Sequence, residues 1–447
     1  MARTALLLAA MSACSQQPLP LRPDIFLITV DTLRADHLGA YGYTKPTSPR
    51  LDRLARESLV FEHCRSHASN TRPSIASLLT GFLPHETHML DGVRLPNALD
   101  TLPEILKRQG YVTRAVVSNW VLSPKAGLNQ GFDVYDARMQ ERERNRPWPE
   151  RVAAQTTAAA IKQLDTPRDG PLFLWVHYQD PHGPYTPPGG LQRAFRDATP
   201  PRLLALNPDL SGLGGIPSYQ QLGARRDFHD YVAAYDGEIR HMDEQVGRLL
   251  DALAERDLYE RSLLIFTADH GEGLGERNFY FNHVGYLYDT LTHVPLMLRR
   301  GDRFSGRRDD ACQLIDVVPT VLGALGLDAD PRLRGRDLFD PDAPESPTYA
   351  ETRSTIDKNG SKYSLIDAGY HLIYNPVFER VELFDLANDP DEQRDLSAEP
   401  AHQQRREAML ARIAAIRADD RTRLAHGSPP ELSKEDRRKL RSLGYVE

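Results

Sequence analysis

Apolar positions along the chain follow two alternating periods. Ile25-Phe-Leu-Ile-Thr-Val30 is almost continuously apolar and predicts a strand buried on both faces, ending on Asp31. Val112–Ser118, Pro171–His177, Leu263–Ala268 and Val294–Leu298 predict further strands, the fourth of the five ending on Asp269. Helical periodicity falls between them: Leu51–Ser58, residues 74–80, Leu102–Gln109 with Gly110 as its stop, residues 149–164 and residues 229–255. The last of these carries Val232, Tyr235, Ile239, Met242, Val246 and Leu249 on one stripe, the mark of a core-packing face. Residues 186–227 are rich in Pro, Gly and Leu without either period and read as a surface insertion.

Strands alternating with helices predict an α/β fold, with a mostly parallel central sheet and helices on both faces. An Asp- and Pro-rich stretch, 328–347, reads as a linker. Beyond it, Tyr363–Ile366, Tyr370–Tyr374 and Val381–Phe384 predict strands, and a helix carries Met409, Leu410, Ile413 and Ile416. The expected division is a leader and spacer (1–21), a catalytic α/β domain (22–345), a small C-terminal α+β domain (346–418) and a tail (419–447).

The 447 residues carry a net charge of −7, with 40% hydrophobic and 26% charged residues. That balance predicts a globular protein and offers no basic surface for nucleic acid. The start of the chain differs. Met1-Ala-Arg-Thr-Ala-Leu-Leu-Leu-Ala-Ala-Met-Ser-Ala-Cys14 has one positive charge, a short apolar core and then small residues, the outline of an export signal. Met11-Ser-Ala-Cys14 resembles a bacterial lipoprotein cleavage box with Cys14 as the lipidated residue. The expectation is an exported, periplasmic or cell-envelope protein that meets the membrane only through that lipid. Cys64 and Cys312 are too few for a disulfide framework and have no metal-ligand spacing.

Asp31 and Asp269 each end a buried strand, and the C-terminal edge of a parallel sheet is where ligands bind. Each alone reads as a cap or turn residue. With His270 and Gly271 following Asp269, two carboxylates and an imidazole at one edge suit a metal ion. The stretch Asn70-Thr-Arg-Pro-Ser-Ile-Ala-Ser-Leu-Leu-Thr-Gly81 reads as a short helix. Two compatible roles fit Thr71 at its start. It caps the helix, or it offers its oxygen to that metal and serves as a nucleophile.

Six pieces in order resemble the sulfatase branch of the alkaline phosphatase superfamily: Val30–Gly39, Pro73–Gly81, His177–Tyr185, Thr267–Glu272, Asp316–Thr320, and Glu382–Leu386 with Asp389-Pro390. The resemblance spans about residues 24 to 396. It implies a parallel-sheet core, a small C-terminal sheet domain and a metal-dependent ester-cleaving site, with Asp31, Thr71, Asp269 and His270 around one divalent ion. Two carboxylates, one hydroxyl and one imidazole suit Zn²⁺ or Mn²⁺ better than Ca²⁺.

The departures carry information. Thr71 stands where sulfatases have the cysteine that becomes formylglycine, so no formylglycine is expected. Ile75 replaces an arginine, and Thr32 replaces a second aspartate. Ser118-Asn-Trp-Val121 lacks the lysine and histidine that hold a sulfate. What remains looks like the branch with a threonine nucleophile, which includes phosphoethanolamine transferases. His283 and His182 fit that branch's substrate-facing histidines. Asn119 and Arg72 are further candidates for substrate contact. The expected activity is hydrolysis of a phosphate or sulfate ester, phosphoester favoured, on a small-molecule, glycan-linked or lipid-linked substrate. A transferase and an inactive binding protein are the alternatives.

Overall fold

The computed structural model of the protein describes residues 22–146, 148–301, 304–354, 360–421 and 433–442. The expected leader, with Cys14, lies outside the described residues.

The principal strands are β1 (Asp24–Val30), β2 (Leu59–Phe61), β3 (Val112–Val117), β4 (Val134–Asp136), β5 (Leu172–Tyr178), β6 (Ser262–Ala268), β7 (Leu296–Arg300) and β8 (Gly306–Arg308). They form one sheet in the order β8-β2-β7-β6-β1-β5-β3-β4. All run parallel except β7, which pairs antiparallel with both β6 and β2. The central strand β1 is flanked on both edges, and Ile25, Leu27, Ile28 and Val30 are wholly buried. Each such side chain contributes about 1.5–3 kcal/mol by leaving water, which is why the most apolar run takes the centre.

The main helices are α1 (Pro49–Arg56), α2 (Thr71–Thr80), α3 (Leu102–Arg108), α4 (Ala153–Asp165), α5 (Phe228–Ala254), α6 (Val317–Ala324) and α7 (Gln403–Ala418). α2 starts at Thr71, earlier than the periodicity predicts. Pro73 falls in its first turn, where no backbone N–H is needed. The helix expected from residue 149 starts instead at Ala153. Pro149–Glu150 pairs with Glu141–Arg142 in a small antiparallel hairpin. Proline and an extended backbone there override the helical pattern.

The C-terminal sheet is antiparallel, β9 (Thr348–Ser354), β10 (Gly360–Asp367), β11 (Tyr370–Asn375) and β12 (Arg380–Asp385) in sequence order. Its own core, around Leu365, Leu372, Leu383, Met409 and Ile413, also takes in Leu83 and Ile315 from the larger domain. β9 reaches back to the loop before α2. Glu351 N donates to the His67 carbonyl at 2.9 Å, and the Thr352 hydroxyl donates to Asn70 Oδ1 at 2.8 Å. Cys64 and Cys312 sit opposite each other on two short parallel strands, both buried and both free thiols. Among the described residues no helix is long and apolar enough to cross a membrane.

Candidate active site

The parallel register places the chemistry. Val30 lies opposite Ala268, so the next residues, Asp31 and Asp269, emerge side by side at the sheet's carboxyl edge. Thr29 lies opposite His177, which therefore shares the face of Thr29 and Asp31. His177 Nδ1 hydrogen bonds the Thr29 hydroxyl at 2.8 Å, leaving Nε2 aimed at Asp31 Oδ2, 3.7 Å away. His177 was not singled out from sequence. The signal was present: a histidine ending an apolar strand, in register with the face that carries Asp31.

Asp31, His177 and Asp269 each bring one ligand atom within 4.8 Å of the others. All three are fully buried, and neither His177 Nε2 nor Asp269 Oδ2 has a hydrogen-bond partner among the described residues. Buried polar atoms without partners are costly, so the donor set fits a divalent cation. His270 joins them, its Nε2 lying 3.7 Å from Asp31 Oδ1 and 3.6 Å from Asp269 Oδ2. Its Nδ1 faces the Gly271 carbonyl at 2.9 Å, which assigns the proton to Nδ1 and the lone pair to Nε2.

Asp269 Oδ1 accepts from the backbone N–H groups of Thr32 (3.2 Å) and His270 (2.8 Å). Thr32 holds a left-handed backbone, φ 54°, unusual for a β-branched residue. That turn aims its N–H at Asp269, and Tyr235 Oη donates to its carbonyl at 2.7 Å.

Thr71 is fully buried at the first position of α2, and Asn70 occupies the cap position. Thr71 Oγ1 lies 3.4 Å from Asp31 Oδ1 and 3.3 Å from His270 Nε2. The hydroxyl therefore faces the strand-end cluster.

His283 lies beside His270, ring centroids 4.5 Å apart and planes tilted by 35°, and the His182 ring is 5.4 Å from that of His283. Burial pushes His270 down to about 3 and His283 to about 4, and lowers His182 as well. These imidazoles are neutral at pH 7. His283 Nδ1 is 3.5 Å from Glu272 Oε1. Burial raises Glu272 to about 8, and its Oε2 accepts from Tyr185 Oη at 3.0 Å. Burial and the facing Asp31 push Asp269 well above the usual carboxylate range.

Asn119 lines the cavity beside His182 and His283, but its Nδ2 donates to Asp31 Oδ2 at 2.5 Å, so it also orients that carboxylate. Arg72 turns elsewhere. Its Nη2 donates to the Val93 carbonyl at 2.8 Å, and the side chain lines a separate recess with Trp120 and Lys125. Adjacent residues on a helix point in different directions, which is why Arg72 parts from Thr71. Asp236, on α5, is bound by His37 Nδ1 and Tyr43 Oη, each at 2.7 Å.

The family model described as Sulfatase matches residues 23–327, the region that carries this cluster. The chain belongs to the sulfatase family. It is accordingly an ester hydrolase of the alkaline phosphatase superfamily. Human (Homo sapiens) iduronate 2-sulfatase is 27% identical over 394 residues, which cover 69% of this chain and 70% of that protein. The delta 4,5-hexuronate-2-O-sulfatase of Bacteroides thetaiotaomicron is 23% identical over 462 residues, 94% of this chain and 91% of that one. The phosphonate monoester hydrolase of Agrobacterium radiobacter shares the fold, with a TM-score of 0.71 at 21% identity over 89% of this chain and 96% of its own. A protein solved with its substrate D-glucosamine-2-N,6-O-disulfate superposes at TM-score 0.74 and 18% identity, covering 90% and 99%. Within the sulfatase family, this chain's site thus joins two strand-end carboxylates, a histidine cluster and a threonine at the helix start.

Proposed function

We propose that this sulfatase-family protein hydrolyses a phosphate or sulfate ester, phosphoester favoured, with Thr71 as the nucleophile. The observation that carries the reading is Thr71 Oγ1, buried at the head of α2 and within 3.4 Å of both Asp31 and His270. Asp31, Asp269, His270 and His177 would hold one divalent ion, Zn²⁺ or Mn²⁺ ahead of Ca²⁺. Such an ion supplies charge neutralisation and lowers the pKa of a nearby hydroxyl.

The chain's own residues account for the rest. The free N–H groups and dipole of α2 favour an anion beside Thr71. The Thr71 proton has an acceptor in Asp31 Oδ1 as the oxygen attacks phosphorus, and the bond to the leaving oxygen breaks in line. The N–H groups of His283 and His182 donate to the charge growing on that oxygen. Water then attacks the phospho-threonine, one of the neutral imidazoles accepts its proton, and Thr71 is released. A sulfated threonine has no equivalent of the aldehyde collapse that frees a formylglycine enzyme, which favours phosphorus. Trp120 and Trp148, stacked at 5.4 Å along the same cavity, give an apolar face for a glycan or aryl leaving group.

Transfer to an acceptor hydroxyl is the second reading. Leu210 and Tyr219 of the 186–227 segment line the cavity and offer an acceptor a wall. The test compares an aryl phosphodiester with an aryl sulfate, each with Zn²⁺, Mn²⁺ or Ca²⁺, for wild type and Thr71→Ala. Phosphodiester turnover lost in the variant supports the reading; turnover that survives overturns it. Rate acceleration by added alcohols would favour transfer. Export with a lipid on Cys14 is part of the proposal, and lipid labelling that persists in Cys14→Ala would refute it.

A further inference from the structure

The segment that corresponds to the family's sulfate-holding lysine and histidine reads Asn119 and Val121 here, so the cavity lacks a cation from that source. Another element supplies one. The hairpin of Glu141–Arg142 and Pro149–Glu150 is pinned over the end of β3, with Arg151 N donating to the Ser118 carbonyl at 3.1 Å and Glu150 bridged to Asn119. Asn145 Nδ2 fixes its far side by donating to the carbonyls of Tyr219 (2.8 Å) and Gln221 (2.7 Å).

Arg146, next along this hairpin, lines the cavity together with Asn119, His182, Asn282 and His283. Its guanidinium is held on two sides. Nε donates to Glu143 Oε2 at 2.5 Å, and the plane lies over the Tyr219 ring at 4.3 Å. Nη2 is buried with no hydrogen-bond partner among the described residues. A buried guanidinium N–H left open costs free energy unless something accepts it. The flat, always-charged fork also matches the oxygens of a phosphate or sulfate. Its positive charge is close enough to depress His182 and His283 further.

We propose that Arg146 binds the non-bridging oxygens of the substrate's ester anion, taking from a hairpin the role that the family gives to residues after β3. The proposal rests on the ester-hydrolase reading only in requiring an anion in this cavity; it does not require Thr71 to be the nucleophile.

The experiment is a titration of the full chain with inorganic phosphate and, separately, sulfate. Tryptophan fluorescence reports binding, because Trp120 and Trp148 line the cavity while Trp175 is fully buried. Wild type, Arg146→Lys, Arg146→Gln and Thr71→Ala are compared, with melting curves for each. Arg146→Gln is expected to weaken anion binding by about tenfold or more, Arg146→Lys by less, and Thr71→Ala to retain saturable binding. The double variant Glu143→Gln/Arg146→Gln removes the carboxylate that would be left unpaired, and gives the same answer if the single variant unfolds.

Wild-type affinity in both glutamine variants overturns the assignment, as does the absence of saturable binding in wild type. If anion binding depends on Arg146 but Thr71→Ala still turns over, the threonine mechanism falls and the role of Arg146 stands. If wild type hydrolyses and Arg146→Gln binds and turns over like it, the role of Arg146 falls alone.

Discussion

Thr352→Val tests whether the C-terminal sheet positions Thr71, the proposed nucleophile. Thr352 is wholly buried, and its hydroxyl donates to Asn70 Oδ1 at 2.8 Å while accepting weakly from Ser69 Oγ at 3.4 Å. Valine keeps the shape and removes the hydroxyl, so no cavity term enters. Asn70 Oδ1 is left without its donor, which costs about 1–3 kcal/mol. Asn70 is the residue before Thr71, and the same loop is tied to β9 through the His67 carbonyl and through His67 Nδ1 on the Tyr349 carbonyl at 2.7 Å.

A shift in that loop moves the Thr71 oxygen directly. Misplacement by about 1 Å can cost on the order of 10²-fold in rate, so a fractional relaxation here predicts a kcat loss of about 10- to 100-fold with a much smaller change in KM. Urea unfolding measures the first quantity and steady-state kinetics on an aryl phosphodiester the second. Thr352→Ser should restore most of both. A variant destabilised as expected, yet with kcat within about twofold of wild type, would refute positioning through β9 and leave the contact purely structural.

Three further outcomes follow from the geometry. His85 Nδ1 sits 2.7 Å from Glu351 Oε1; burial would lower this histidine, but Glu351 outweighs it and holds its pKa above 6.5. The stabilisation is therefore full below pH 6.5 and lost as pH rises through the folded value. The gap between wild type and His85→Gln in thermal or urea unfolding should shrink from about 1.5–3 to about 0.5–1.5 kcal/mol between pH 5.5 and 9; a gap independent of pH would sink the idea. Gly271→Ala would put a Cβ 2.0 Å from the Thr290 carbonyl oxygen. It should cost about 1–3 kcal/mol and weaken Zn²⁺ binding as His270 is displaced, whereas an unchanged melting temperature would show that the loop yields freely. His177→Ala should weaken Zn²⁺ or Mn²⁺ binding at least about tenfold in equilibrium dialysis, and unchanged affinity would remove His177 from the ligand set.

The strands were legible because burial on both faces leaves an unbroken apolar run, and Asp31 and Asp269 stood out as carboxylates ending such runs. Their adjacency was legible only through the family resemblance, since it depends on β1 and β6 pairing in register, which no local pattern encodes. The same gap hid His177. As the last residue of an apolar strand it reads as a polar core residue, and only its register with Thr29 turns it toward Asp31. Thr71 was ambiguous for a related reason: local pattern bounds a helix only approximately and does not say what its first residue faces. Arg146 lies in Glu141-Arg-Glu-Arg-Asn-Arg146, a charge run that reads as solvated surface. The hairpin folds that run over the sheet edge instead.

The histidines bear on how the proposed threonine nucleophile would serve without an aldehyde. A phospho-threonine is released only if water attacks it and some group accepts the proton. Burial keeps His283 and His182 neutral at pH 7, so each carries both a donor and an acceptor nitrogen. In the proposed mechanism the donor would serve the leaving oxygen in the first half-reaction, and the acceptor would take the proton of water in the second. An imidazole already protonated in the resting site would lack that acceptor and stall at the covalent stage. On the threonine reading, the depth of these histidines is what would let the site turn over without an aldehyde.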